Sequence, residues 1–260
     1  PLQDATGEAR LKDNDFTLSV SEASIEMPSG KRGKIGRGTM EARDILAAET
    51  LGVFGFEAVA AAQAVIEFVN LPDLNIIRNT GFDTSKLGGD AQVSVSLEVP
   101  LVKDTPRERV VVRASAKLTN ASLKDAIPKI DISDGNVDLT IADGKIAATG
   151  PVKLNGVPVK LSWERAAGPA ARQSALIEAS LDGDERKKIG VDLGDFLKGT
   201  VALKAEIPDL GDTAGRIELD ADLSKAEMRI VPINWVRPAT AKTRATFTYY
   251  SKGEKGRRVE

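Results

Sequence analysis

From Ala91 to the end of the chain, apolar and polar residues alternate in one short run after another. In the first run Ala91, Val93, Val95, Leu97 and Val99 fall on one side, and Gln92, Ser94, Ser96 and Glu98 on the other. Val157, Val159, Leu161 and Trp163 stand in the same way against Lys160, Ser162 and Glu164. So do Ile217, Leu219, Ala221 and Leu223 against Arg216, Glu218, Asp220 and Asp222. Successive side chains of a strand project to opposite faces, so each run predicts a strand with one apolar and one wet face. Strands of that kind belong to antiparallel sheets rather than to parallel sheets buried on both faces.

The pattern predicts strands near 90–100, 109–118, 128–133, 136–142, 145–154, 157–166, 173–181, 199–208, 214–222, 225–231 and 241–250. Asp134-Gly135, Asp143-Gly144 and Asn155-Gly156 are the dipeptides that two-residue hairpin turns favour, and they predict three successive hairpins between Ile130 and Trp163. Upstream, Phe16, Leu18 and Val20 alternate with Thr17 and Ser19, and Pro28-Ser29-Gly30 breaks the run, so residues 7–43 read as two or three strands. Lys31, Arg32, Lys34 and Arg37 are placed by this reading on a solvated hairpin tip. From Ala47 to Asn70, alanines and large apolar residues surround a narrow arc of Glu57, Gln63 and Glu67. That arc predicts an amphipathic helix of about 20 residues plugging an end or open face of the sheet. A second short helix is expected at Leu74–Asn79, and helical turns at Leu123–Ala126 and Asp184–Ile189. The division is 1–81, N-terminal strands and helix, and 82–260, antiparallel sheet; the two can also form one continuous domain.

At 260 residues and 42% hydrophobic composition the chain can bury a sizeable core. The 36 basic and 38 acidic residues nearly cancel, which argues against a broad attraction to nucleic acid. The chain has neither cysteine nor histidine. Disulfides, thiol nucleophiles, the commonest general base and the commonest transition-metal ligands are thereby excluded, and the expectation is a noncatalytic protein without cofactor or metal. No apolar stretch reaches the roughly 20 residues that cross a bilayer, so any anchor or leader is expected outside these residues.

The remaining motifs point to turns more than to chemistry. Asp131, Asp134, Asp138 and Asp143 lack the alternate-ligand spacing of a calcium loop, and Ala142 stands where its glutamate would be. Asp182-Gly183-Asp184-Glu185 reads as a turn and helix cap. Gly33, Gly36 and Gly38 are not followed by a Lys-Ser or Lys-Thr pair in phosphate-loop register. Trp163 and Trp235 read as packing residues, since aromatics make up 4% of the chain and do not interleave with basic residues. No pair of carboxylates identifies a hydrolase of envelope polymers.

Several ordered stretches carry a family likeness. Asn120-Ala-Ser-Leu-Lys-Asp-Ala-Ile-Pro128, Ile132-Ser-Asp-Gly-Asn-Val-Asp-Leu139 and Leu154-Asn-Gly-Val-Pro-Val-Lys-Leu-Ser-Trp163 are the first three. Gly199-Thr-Val-Ala-Leu203, Ala221-Asp-Leu-Ser-Lys-Ala226 and Ile233-Asn-Trp-Val-Arg-Pro238 follow them. Over roughly residues 70–250 the chain resembles the YhdP branch of the bacterial AsmA-like family, within the bridge-like lipid transfer proteins. The resemblance implies a mainly β fold, a large curved antiparallel sheet whose concave apolar face forms a groove. It also implies the periplasmic part of a protein anchored in the inner membrane of a Gram-negative bacterium and implicated in phospholipid transport and outer-membrane biogenesis.

The expected ligands are then phospholipid acyl chains, with adjacent repeats of the same polypeptide and envelope proteins as further partners. Acyl chains would lie on the apolar face and headgroups at its rim. The lining expected on this reading is Val93, Val95, Leu97, Val157, Val159, Leu161, Ile217 and Leu219. Ordinary core packing is the competing role for each of them, and a structural or assembly module of the envelope is the competing function.

Overall fold

The computed structural model describes residues 2–69, 83–106, 109–127, 130–166, 172–250 and 258–259. It is mainly β. The first strands are β1 (Leu2–Lys12), β2 (Asp15–Glu26), β3 (Arg32–Ala42) and β4 (Leu51–Ala61), followed by helix α1 (Ala62–Val69), β5 (Leu87–Pro100), β6 (Val111–Ile127) and β7 (Ile130–Ala142). Then come β8 (Lys145–Leu154), β9 (Val157–Ala166), β10 (Gln173–Leu181), helix α2 (Gly183–Lys188), β11 (Leu197–Ile207), β12 (Arg216–Ile230), β13 (Trp235–Arg237), β14 (Arg244–Tyr250) and β15 (Arg258–Val259). All fifteen belong to one sheet whose order follows the chain from β1 to β12, then β14 and β15; β13 pairs with the end of β12. The sheet is open, because its order begins at β1 and ends at β15.

The chain divides into two compact units, one of residues 1–126 and 136–144, the other of 127–135 and 145–260. The expected boundary at 81/82 and the expected helix at Leu74–Asn79 lie outside the described residues.

Tight turns make neighbours in sequence neighbours in the sheet. Asp13 and Asn14 (φ 51° and 70°), Asp143 and Gly144 (49° and 70°), and Asn155 and Gly156 (47° and 81°) supply the paired positive φ that a two-residue hairpin turn needs. The first unit contains β1–β6 with α1 and the later part of β7. Its ladders pair Leu18 with Met40, Met40 with Phe54 and Phe54 with Leu97, so the apolar face is continuous from strand to strand. The second unit has a core of Leu197, Val201, Ala221 and Ala226, against which Leu203, Leu223 and Met228 pack.

Five expectations need correction. The helix of about 20 residues is eight residues long, and Leu51–Ala61 is strand β4. Its Phe54, Phe56, Ala58 and Ala60 pair with Leu97, Val95, Val93 and Ala91. Exposed Val53 and Val59 on the wet face hid this alternation. Gly52 and Gly55 also oppose a helix, by about 1 kcal/mol each relative to alanine.

Asp134-Gly135 is no hairpin turn: β7 runs through it, with Asp134 at φ 50° and Gly135 buried, so two predicted strands are one. A left-handed residue inside a strand kinks it without reversing it. Residues 123–126 are likewise strand, within a β6 kinked at Asn120 and Asp125 (both φ 51°). The two strands predicted at 214–222 and 225–231 are also one, β12, whose first half pairs with β14 and whose end pairs with β13. Of the four cations placed on a hairpin tip, only Lys31 lies in the turn; Arg32, Lys34 and Arg37 are exposed along β3.

The helical turn expected at Asp184–Ile189 is α2. Asp182 caps it, accepting from Glu185 N at 2.9 Å while Glu185 Oε2 accepts from Asp182 N at 2.9 Å.

Candidate functional site

Register assigns each residue to a face, because directly paired residues of antiparallel strands project to the same side. In the first unit one row runs Ala9, Leu18, Met40, Phe54, Leu97 and Val112 across six strands. The next runs Gly7, Val20, Gly38, Phe56, Val95 and Ala114. A further row, Ala23, Ile35, Ala58, Val93 and Ala116, lies beyond the bulges. The opposite face is polar, as in Glu8, Ser19, Thr39, Gly55, Ser96 and Arg113.

Val93, Val95 and Leu97 therefore share one apolar surface with residues of five other strands. They are half-buried, as are Phe16, Leu18, Val20, Met40, Phe54 and Phe56. Among the described residues every strand belongs to the same sheet. Part of this surface is occupied by α1. Its Phe68 meets Phe56 edge to face with ring centroids 6.1 Å apart, and Ala62 and Ala64 are buried.

Polar bonds hold α1 there. Glu67 accepts from the Ser29 backbone N–H at 2.8 Å and from the Ser29 hydroxyl. Gln63 accepts from the Lys31 ammonium and donates to the Ser85 carbonyl at 3.1 Å. Two members of the polar arc expected on a long helix thus fasten a short one to the β2–β3 turn and to the residues before β5. The third, Glu57, sits on the wet face of β4 opposite Arg37.

In the second unit the row Gly150, Leu161, Ile177, Ala205, Leu219 and Phe247 crosses β8 to β14. Ala148, Trp163, Ala175 and Ile207 form the adjacent row, and Ile217 faces Tyr249. Val152 pairs with Val159 and Leu154 with Val157 on the same side. Val157 and Val159 are buried, whereas Leu161, Ile217 and Leu219 are half-buried. The expected lining thus falls on the apolar face of each unit, with three residues in the first and five in the second. Phe54, Phe56, Ile177, Leu203 and Phe247 were missed. Alternation in β4 points to Phe54 and Phe56, but exposed Val53 and Val59 obscure it.

The wet face of the second unit is an ion-pair surface. Lys160, Glu178, Lys204 and Asp220 stand in one cross-strand row of alternating charge. Arg244 donates through both Nε and Nη2 to the Asp220 carboxylate. That hydrogen bond, with the charge of the guanidinium, holds the Asp220 carboxyl below the usual range, and Ser224 does the same for Asp222 through its hydroxyl and backbone N–H.

Two arginines do structural work that the sequence did not reveal. Arg186, 5% exposed, donates to the carbonyls of Leu181 (3.0 Å), Gly199 (2.8 Å) and Leu197 (2.8 Å), tying α2 to β10 and β11. Arg237 donates to the Leu223, Ala226 and Ala241 carbonyls and to Thr243 Oγ1, fixing β13 against β12 and the connection to β14. No group of three or more carboxylates is placed to hold a metal ion among the described residues. No family model, curated protein or solved structure matches the chain.

Proposed function

We propose that the apolar face binds phospholipid acyl chains, and that the chain is a noncatalytic segment of a periplasmic bridge-like protein of the AsmA-like, YhdP type. On this reading the face is the concave lining of a groove along which lipid moves between the inner and outer membranes. The observation that carries it is the run of apolar rows across the strands of each unit of one open sheet, half-buried in the first unit and half-buried to buried in the second. A monomeric protein seldom leaves so much contiguous apolar surface without a ligand or partner for it. The sequence motifs between Asn120 and Pro238 give the family resemblance that supplies the ligand class.

The physical basis is solvation. Each acyl methylene laid on the face is removed from water at a gain of about 0.8 kcal/mol, while the headgroup stays hydrated at the rim. Aliphatic rows offer no directional contact, so a chain can slide from one row to the next without breaking a hydrogen bond.

Native mass spectrometry of the purified protein, with solvent extraction of copurified lipid, tests this reading. Leu97→Asp and Leu219→Asp place a charge on half-buried positions of the two units. The reading requires that phospholipid copurify with the unsubstituted chain and be lost from variants that keep their β circular dichroism. A lipid-free, folded protein would contradict it and favour an assembly module of the envelope.

A further inference from the structure

In the second unit every exposed large apolar side chain among the described residues lies in one of two stretches, 191–196 and 230–236. The fold brings these stretches together. Leu197 pairs with Met228 and Lys198 with Glu227, so the 3-10 turn Gly194–Phe196 before β11 packs on the end of β12. Ile230 pairs with Trp235, closing a hairpin over Val231, Pro232, Ile233 and Asn234.

The tip is built and held. Pro232 sits in a 3-10 turn, Asn234 takes φ 48°, and its N–H donates to the Val231 carbonyl at 3.0 Å. Arg237 anchors the base of the hairpin through the carbonyls of Leu223, Ala226 and Ala241. Val231 is 66% and Ile233 68% exposed, with Trp235 at 42% and Phe196 at 40%.

We infer that this apolar tip is a docking point for the interfacial region of a phospholipid bilayer. Size and charge select that occupant. Two stretches of six and seven residues present the patch, fewer than the roughly 20–30 residues a side of a stable protein–protein interface. A few side chains entering a bilayer need no complementary pocket. Trp235 with aliphatic neighbours is the composition that settles at the headgroup boundary, where indole has an apolar body and a polar N–H.

The nearest charges are spent within the chain: Lys198 on Asp195 at 2.8 Å, Arg229 on Glu227 at 3.1 Å, and Arg237 on backbone carbonyls. Asp192 in the other stretch accepts from the Gly194 N–H at 3.0 Å, while residues 230–236 carry no ionisable side chain, so the hairpin enters lipid with no charge of its own to desolvate and suits a zwitterionic surface as well as an anionic one. This contact is separate from the lipid-bearing sheet face and does not require it.

Trp163→Phe makes Trp235 the only indole in the chain, so its emission reports the tip alone. Addition of phosphatidylcholine vesicles should shift that emission to the blue, and bromine-labelled acyl chains should quench it. Ile233→Asp should weaken vesicle cosedimentation roughly tenfold or more, and Leu46→Asp, at an exposed apolar position of the first unit, should leave it unchanged. An unshifted emission in both phosphatidylcholine and phosphatidylglycerol vesicles would overturn the inference, as would equal loss of binding in the Leu46 variant. Copurified acyl lipid is read separately by extraction, so failure of the tip and failure of the sheet face remain distinguishable.

Discussion

Arg186 shows how one residue can fix a connection that hydrophobic pattern leaves open. Its guanidinium is buried, makes no ion pair among the described residues and satisfies three backbone carbonyls instead. Arg186→Ala strands those acceptors, and a loss of about 2–4 kcal/mol is expected. Arg186→Lys should restore only part of it, because an ammonium lacks the planar fork. Urea midpoints of the three proteins check this, and a midpoint unchanged in the alanine variant would contradict it.

Gly199, one of the carbonyls Arg186 binds, is constrained in its own right. It holds φ 95°, and a Cβ there would stand 2.5 Å from the Lys225 carbonyl oxygen. Gly199→Ala should cost about 1–3 kcal/mol by the same measurement.

The exposed ion pairs act through pH. Asp220 is lowered by its hydrogen bond from Arg244, and Glu49 by its hydrogen bond from Arg109, with the charge of each arginine adding to the effect. A carboxyl lowered in the folded state contributes stability above its unfolded value, about 3.9 for Asp and about 4.3 for Glu. That contribution is lost as pH falls through the lower folded value. Asp220→Asn should therefore lose less stability than the unsubstituted chain on acidification from about pH 5 toward pH 2. Identical acid slopes would show that the pair contributes nothing.

At the scale of elements, β4 and α1 decide how the first unit is built. Phe56 belongs to the sheet and Phe68 to the helix, and their edge-to-face contact seats α1 on the apolar rows. Phe68→Ala should cost about 1–3 kcal/mol, since the ring is half-buried rather than enclosed. Because β4 is a strand, stability should follow period two along it. Phe56→Asp, which also removes the ring that seats Phe68 of α1, should be strongly destabilising, while Val59→Thr should stay within about 0.5 kcal/mol. Similar losses at both positions would contradict the strand.

Much of this sheet was legible because alternation is a local signal. Phe16, Leu18 and Val20, the run from Ala91 to Val99 and the run from Val157 to Trp163 each lie where the pattern puts them. The misreadings share a cause. Val53 and Val59 break the alternation of β4 by being apolar and exposed. Asp134 adopts the left-handed conformation of a turn inside a strand. What a residue does there depends on its neighbours across the sheet, and one chain read in order does not display them. The same holds for Arg186 and Arg237, whose acceptors are backbone carbonyls that carry no side-chain signature.

At the scale of the molecule, sheet order that follows chain order from β1 to β12 makes successive strands partners. Apolar rows then extend strand by strand wherever alternation continues, and no residue need be unique for the surface to exist. That would suit the proposed acyl-chain path, in which one dominant site would hold lipid rather than pass it on. It also makes single substitutions informative, because a position on the apolar face and its neighbour on the chain lie on opposite faces.

The most direct measurement places a photoactivatable benzophenone side chain, one position at a time, along β5 from Val93 to Glu98 in cells carrying radiolabelled phospholipid. Crosslinks to lipid at Val93, Val95 and Leu97, and none at Ser94, Ser96 and Glu98, are the predicted result. Equal labelling at adjacent positions, or none at the three apolar ones, would contradict the acyl-chain face.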